Sequence, residues 1–115
     1  MSSSNLTPIV LTISSQLTPN VDLDNNTLVG FEVGADIAST TIALQGTYTA
    51  GGTQVPVFVF NNAATPVAVS ITHTTLTARQ YLFPQALEGL RSFKLSFSAA
   101  GDNAKTVTVY LKRNA

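Results

Sequence analysis

The stretch Leu90-Arg91-Ser92-Phe93-Lys94-Leu95-Ser96-Phe97, followed across Gly101-Asp102-Asn103 by Thr106-Val107-Thr108-Val109-Tyr110-Leu111, decides the fold class. Successive side chains of an extended chain alternate faces, so Phe93, Leu95 and Phe97 fall on one side and Ser92, Lys94 and Ser96 on the other. The second run sets Val107, Val109 and Leu111 against Thr106, Thr108 and Tyr110. Two half-buried strands result. The Gly-Asp-Asn segment supplies turn residues that tolerate positive φ or bond their own backbone. The rest of the chain must supply the other wall of the core.

Upstream, the same alternation recurs in short runs. Residues 1–7 are small and polar and are expected to be a flexible N-terminal arm. From 8 to 13, Ile9, Leu11 and Ile13 alternate with Val10 and Thr12, a first strand. Residues 16–26 are rich in turn formers, and 27–33 resume the alternation with Val29, Phe31 and Val33 inward. Residues 41–48 continue it through Ile42, Leu44, Gly46 and Tyr48, and Gly51-Gly52 turns the chain into a strand over 54–60. Val67, Val69, Ile71 and His73 form the next face, 77–83 a shorter strand, and Pro84-Gln85-Ala86-Leu87-Glu88-Gly89 at most one helical turn. No long amphipathic helix is present. About eight short strands with polar turns predict an all-β, antiparallel β-sandwich of jelly-roll type, a single domain over residues 8–113. The strand order is not readable from the pattern.

One run departs from alternation. In Val55-Pro56-Val57-Phe58-Val59-Phe60 both faces are apolar, valines on one and Pro56, Phe58 and Phe60 on the other. Proline cannot donate to a ladder, which places Pro56 at a strand start or an edge. The phenylalanines are covered either within the monomer or by another protein, so Pro56, Phe58 and Phe60 are the candidate protein-protein interface.

Composition narrows the function. The chain has 115 residues, 44% hydrophobic but only 10% charged, so its polar surface is built mainly from Thr, Ser, Asn and Gln. Six basic and six acidic residues cancel, leaving no electrostatic footprint for nucleic acid or anionic lipid and little repulsion to oppose self-assembly. Without cysteine, stability must come from packing. The N-terminal residues lack a basic segment and a long apolar run, so no signal peptide or membrane span is expected, and the chain is expected to fold in a cytoplasm.

The reactive inventory is thin. His73 is the single histidine, which excludes a multi-histidine metal site, and its place near a strand end predicts a rim residue. Asp22-Leu23-Asp24-Asn25-Asn26 lacks the glycine and distant glutamate of a calcium loop and fits a turn better. The glycines form no phosphate loop. Glu32 and Glu88 have no acidic partner in sequence, whereas a glycosidase needs two carboxylates facing one cleft. We therefore expect no enzyme and no cofactor. Tyr48, Tyr81 and Tyr110 could stack sugars, so a carbohydrate-binding module stays open as an alternative.

Four phrases, Asn26-Thr27-Leu28-Val29-Gly30-Phe31-Glu32-Val33, Thr41-Ile42-Ala43-Leu44-Gln45-Gly46-Thr47-Tyr48, Leu87-Glu88-Gly89-Leu90-Arg91-Ser92-Phe93-Lys94-Leu95 and Lys105-Thr106-Val107-Thr108-Val109-Tyr110-Leu111-Lys112, match in order and spacing across nearly the whole chain. In them the sequence resembles a family of small tailed-bacteriophage virion proteins encoded among head and tail structural genes. The resemblance implies a bacteriophage virion structural protein, foremost a capsid cement or decoration protein, with a tail or fibre component as the alternative. It implies virion localisation after synthesis in the host cytoplasm, and the major capsid protein or other virion proteins as partners of a homo-oligomer. It carries over no catalytic residue.

Overall fold

Eleven strands stand in the computed structural model, which describes residues 6–49, 53–59, 67–83 and 90–113, and of 58, 59, 67 and 68 the backbone alone. They are β1 (Leu6–Thr12), β2 (Val21–Asp22), β3 (Asn26–Val33), β4 (Thr41–Thr47), β5 (Val55–Pro56), β6 (Phe58–Val59), β7 (Val67–Ala68), β8 (Ser70–Thr72), β9 (Arg79–Leu82), β10 (Ser92–Phe97) and β11 (Thr106–Arg113). β1 starts at Leu6, two residues before the expected boundary, and residues 1–5 of the expected arm lie outside the described residues. So do Gly51-Gly52 and residues 84–89.

The two C-terminal runs are strands, but they do not pair with each other. β10 lies between β2 and β4 in one antiparallel sheet, and β11 between β1 and β3 in another. The chain crosses from one wall of the core to the other at the turn 98–105, so Phe93, Leu95 and Phe97 from one sheet and Val107, Val109 and Leu111 from the other meet in a common core. The first sheet runs β1-β11-β3-β9; the second runs β2-β10-β4-β5, with β8 also paired to β4. This is an all-β sandwich of two antiparallel sheets. Its pairs are nested: the first strand takes the last, β2 takes β10, β3 takes β9, and β4 takes the segments that immediately follow it.

Eleven strands replace the expected eight because one was missed and two are broken. Val21 and Asp22 make a two-residue strand on Phe93 and Ser92, too short to show a period. The run from Val55 bends at Val57 and the run from Val67 bends at Val69, because three backbone bonds meet there. Val57 N–H donates to the Leu44 carbonyl at 3.1 Å, Leu44 N–H to the Val69 carbonyl at 2.9 Å, and Val69 N–H to the Val57 carbonyl at 2.8 Å. At this three-way junction β4 passes from β5 to β8, while β6 and β7 pair with each other as a separate two-stranded ribbon.

Two smaller corrections concern which side chains face inward. Between Tyr110 and Leu111 the pairing with β3 slips, Tyr110 opposing Gly30 and Leu111 opposing Leu28, so Val29 is the extra residue of a bulge. Leu28 rather than Val29 is therefore buried. Tyr48 lies past the end of β4 and is 77% exposed instead of continuing the inward face.

One end of the sandwich is closed by hydrogen bonds among four connections. Asp102, in a short 3-10 turn (Ala100–Asp102), is fully buried. Its Oδ1 accepts from Ala38 N–H at 2.7 Å and from Lys105 Nζ at 3.3 Å; its Oδ2 accepts from Ser39 N–H at 2.8 Å and the Ser39 hydroxyl at 2.5 Å. Gln16 bridges to the carbonyls of Phe97 and Ser98. These bonds give the backbone groups of the crossovers the partners a buried chain requires.

Candidate protein interface

Of the candidate interface residues, Pro56 is exposed on β5, at an edge of the second sheet and opposite Gln45, where a missing N–H costs no ladder bond. Phe58 opens β6 and pairs through its backbone with Ala68 of the ribbon, outside both sheets. Phe60 lies outside the described residues. The single straight strand expected over 54–60 is thus replaced by two segments, and Val57 between them packs against the core. Pro56 and Phe58 are placed on either side of the three-way junction and belong to different sheets.

The outer face of the first sheet is a second surface, which the sequence reading passed over. Register places Pro8, Tyr110, Gly30 and Leu82 in one row across β1, β11, β3 and β9, and Val10, Thr108, Glu32 and Gln80 in the next. Tyr110 leans across its neighbour: its hydroxyl donates to Glu32 Oε1 at 2.6 Å, and Gln80 Nε2 donates to Glu32 Oε2 at 3.1 Å. These bonds hold the Glu32 carboxyl below its usual range, the Tyr110 bond foremost, and the same bond raises the Tyr110 phenol. The carboxylate is therefore ionised with both oxygens occupied. Around this polar centre the two edge strands expose large apolar side chains, Val10 at 65% on β1 and Leu82 at 81% on β9. Gly30 permits the β3–β9 approach, since a Cβ there would lie 2.1 Å from the Tyr81 carbonyl oxygen.

The other sequence candidates disperse. His73 is not a rim residue: it is 2% exposed, with Nδ1 2.5 Å from the Tyr81 hydroxyl, because β8 carries the inward alternation on to residue 73 beneath β9. Burial pushes its pKa down, the Arg79 charge adds to this, and the Asp102 charge and Ile37 carbonyl act against it. Tyr81 packs against the core beside Phe31, ring centroids 5.2 Å apart. Tyr48, Tyr81 and Tyr110 thus share no surface. Asp24 takes a left-handed φ of 47° in the turn after β2, where Asn26 Nδ2 donates to the Leu23 carbonyl at 3.0 Å. Glu88 lies outside the described residues. A shallow groove of about 380 Å³ runs along Glu32, Val33, Ala78, Arg79 and Gln80, with Glu32 the one acid among the described residues of its lining. Among the described residues no three His, Asp or Glu side chains gather as a metal site would require, and no helix is long and apolar enough to cross a membrane.

Comparison with family models, with curated proteins and with solved structures finds no match to this chain.

Proposed function

We propose that this chain is a non-enzymatic bacteriophage virion structural protein, foremost a decoration protein that stabilises the head by docking on the capsid lattice as a homo-oligomer. The observation that carries this reading is the outer face of the first sheet, where Val10 and Leu82 stand exposed at the two edges around a hydrogen-bonded, charge-capped centre. Exposed apolar rims on a surface of low net charge suit protein contact better than nucleic acid or lipid. The four phrases that resemble tailed-phage virion proteins support it from another side: they fall on β3, β4, β10 and β11, the central strands of the two sheets. The nested strand pairing supports the jelly-roll reading, an architecture used by viral capsid and lectin domains. Fold alone does not give function, so the docking experiment decides.

Val10→Lys combined with Leu82→Lys places two charges on exposed positions, where substitutions change stability by about 0.5 kcal/mol or less. The doubly substituted protein is expected to melt like the wild type and to fail to co-sediment with undecorated heads. Undiminished co-sedimentation would remove this face from the interface. A tail component, the alternative, would bind isolated tails and leave heads bare.

A further inference from the structure

We propose that His73 and Tyr81 form an acid-labile latch that holds the connection between β8 and β9, and with it the edge strand β9, against the sandwich. His73 is 2% exposed, and of its two ring nitrogens Nδ1 meets the Tyr81 hydroxyl at 2.5 Å while Nε2 is buried without a hydrogen-bond partner. The rings stand edge to face, 5.7 Å between centroids and 73° between planes. A neutral imidazole tolerates this site with one unsatisfied nitrogen. Adding a proton makes both nitrogens donors and buries a cation that can turn only to the Tyr81 hydroxyl and to an Ile37 carbonyl already accepting from Leu76 N–H, a state better served in water.

The surrounding charges do not rescue the cation. From β9 the ring faces Tyr81 and Arg79, and Arg79 repels it. From the 3-10 turn it feels Asp102, whose carboxylate is already shared among Ala38, Ser39 and Lys105. From the β3–β4 connection comes the Ile37 carbonyl, while Asp36 of that connection is exposed. The structure held by the latch is lightly tied. His73 N–H donates to Thr40, Leu76 N–H to Ile37 and the Thr75 hydroxyl to Ala38, at 2.8, 2.8 and 2.9 Å. Leu76 sits there at φ 57° and 59% exposed, a left-handed conformation that a bulky side chain resists. Among the described residues β9 is bonded on one side only, to β3.

The sign follows from the lowered folded pKa. The open form binds the proton more readily, so the latch is intact above the ordinary histidine value of 6.5 and weakens as pH falls below it. The test is amide hydrogen exchange and ring titration by NMR on the whole chain from pH 7.5 to 5. We expect His73 to titrate below 6.5. After correction for intrinsic exchange, opening at the His73, Leu76 and Phe83 amides should rise by up to about tenfold per pH unit. The Thr18 and Leu23 amides, bonded to Leu95 and Arg91 in the other sheet, should hold their protection. Tyr81→Phe should raise opening at pH 7.5, and His73→Gln should remove the acid dependence. Titration at or above 6.5, equal loss of protection at Thr18 and Leu23, or an unchanged acid dependence in His73→Gln would each overturn the latch. The wild-type titration stands even where a variant does not fold.

Discussion

Asp102 was legible in the sequence only as a turn former, yet it is the most connected side chain at its end of the sandwich, with both carboxylate oxygens filled from Ala38, Ser39 and Lys105. Burial by itself would raise its pKa, but these four donors win and hold it below the usual carboxylate value. Truncation to alanine leaves buried N–H groups of Ala38 and Ser39 without acceptors, and breaking such a buried charged cluster costs about 3 kcal/mol or more. We expect Asp102→Ala to lower the unfolding free energy by that amount, read as a lower urea midpoint with the slope unchanged. The pH dependence has the opposite group type from His73 but the same direction. A carboxyl with a depressed folded pKa stabilises fully above its unfolded value of 3.8, and that contribution is lost as pH falls through the folded value. Two steps of acid destabilisation follow, a local one at His73 below pH 6.5 and a global one at Asp102 below 3.8. In Asp102→Ala the lower step should shrink and the upper one persist.

At the scale of elements, the strands that alternate over six or more residues were readable: β1, β3, β4, β10 and β11 lie within about two residues of where the periodicity put them. Alternation says which face is buried but nothing about which strand lies alongside, so β10 and β11, neighbours in sequence, could not be assigned to opposite walls. What else was missed has local causes. The bulge at Val29 exchanges it for Leu28, a two-residue β2 shows no period, and the junction of Leu44, Val57 and Val69 breaks two runs whose apolar residues continue without interruption. The candidate interface was legible only in part. Pro56 is at an edge as its missing N–H requires, whereas the outer face of the first sheet escaped notice because Val10 and Leu82 stand near opposite ends of the chain and no sequence period joins β1 to β9. Where Phe58 and Phe60 are covered by another protein, Phe58→Ser with Phe60→Ser should preserve the melting temperature and abolish assembly. Loss of several kcal/mol, the cost of removing rings from a core, would place them inside the monomer instead. By contrast Phe93→Ala, at a fully buried position, should cost about 3 to 5 kcal/mol.

The described residues combine a tightly buried apolar core with a chain of low charge content. Phe31, Phe93 and Phe97 are buried to 1% exposure or less, without disulfides to assist them. Each such side chain contributes about 1.5 to 3 kcal/mol through area removed from water. With six positive and six negative residues cancelling, docking should depend on shape and apolar area, and should therefore survive salt that screens charges beyond a few ångströms. Repetition on a lattice supplies avidity, so one modest contact per copy is enough. On the proposed function this sandwich is a repeated part of the virion head, and copy number decides it. Quantitative mass spectrometry of purified virions, scaled to the major capsid protein, should find on the order of hundreds of copies per particle, as a closed symmetric lattice demands. A ring's worth of copies would move the protein to the tail, and its absence from purified virions would contradict the account.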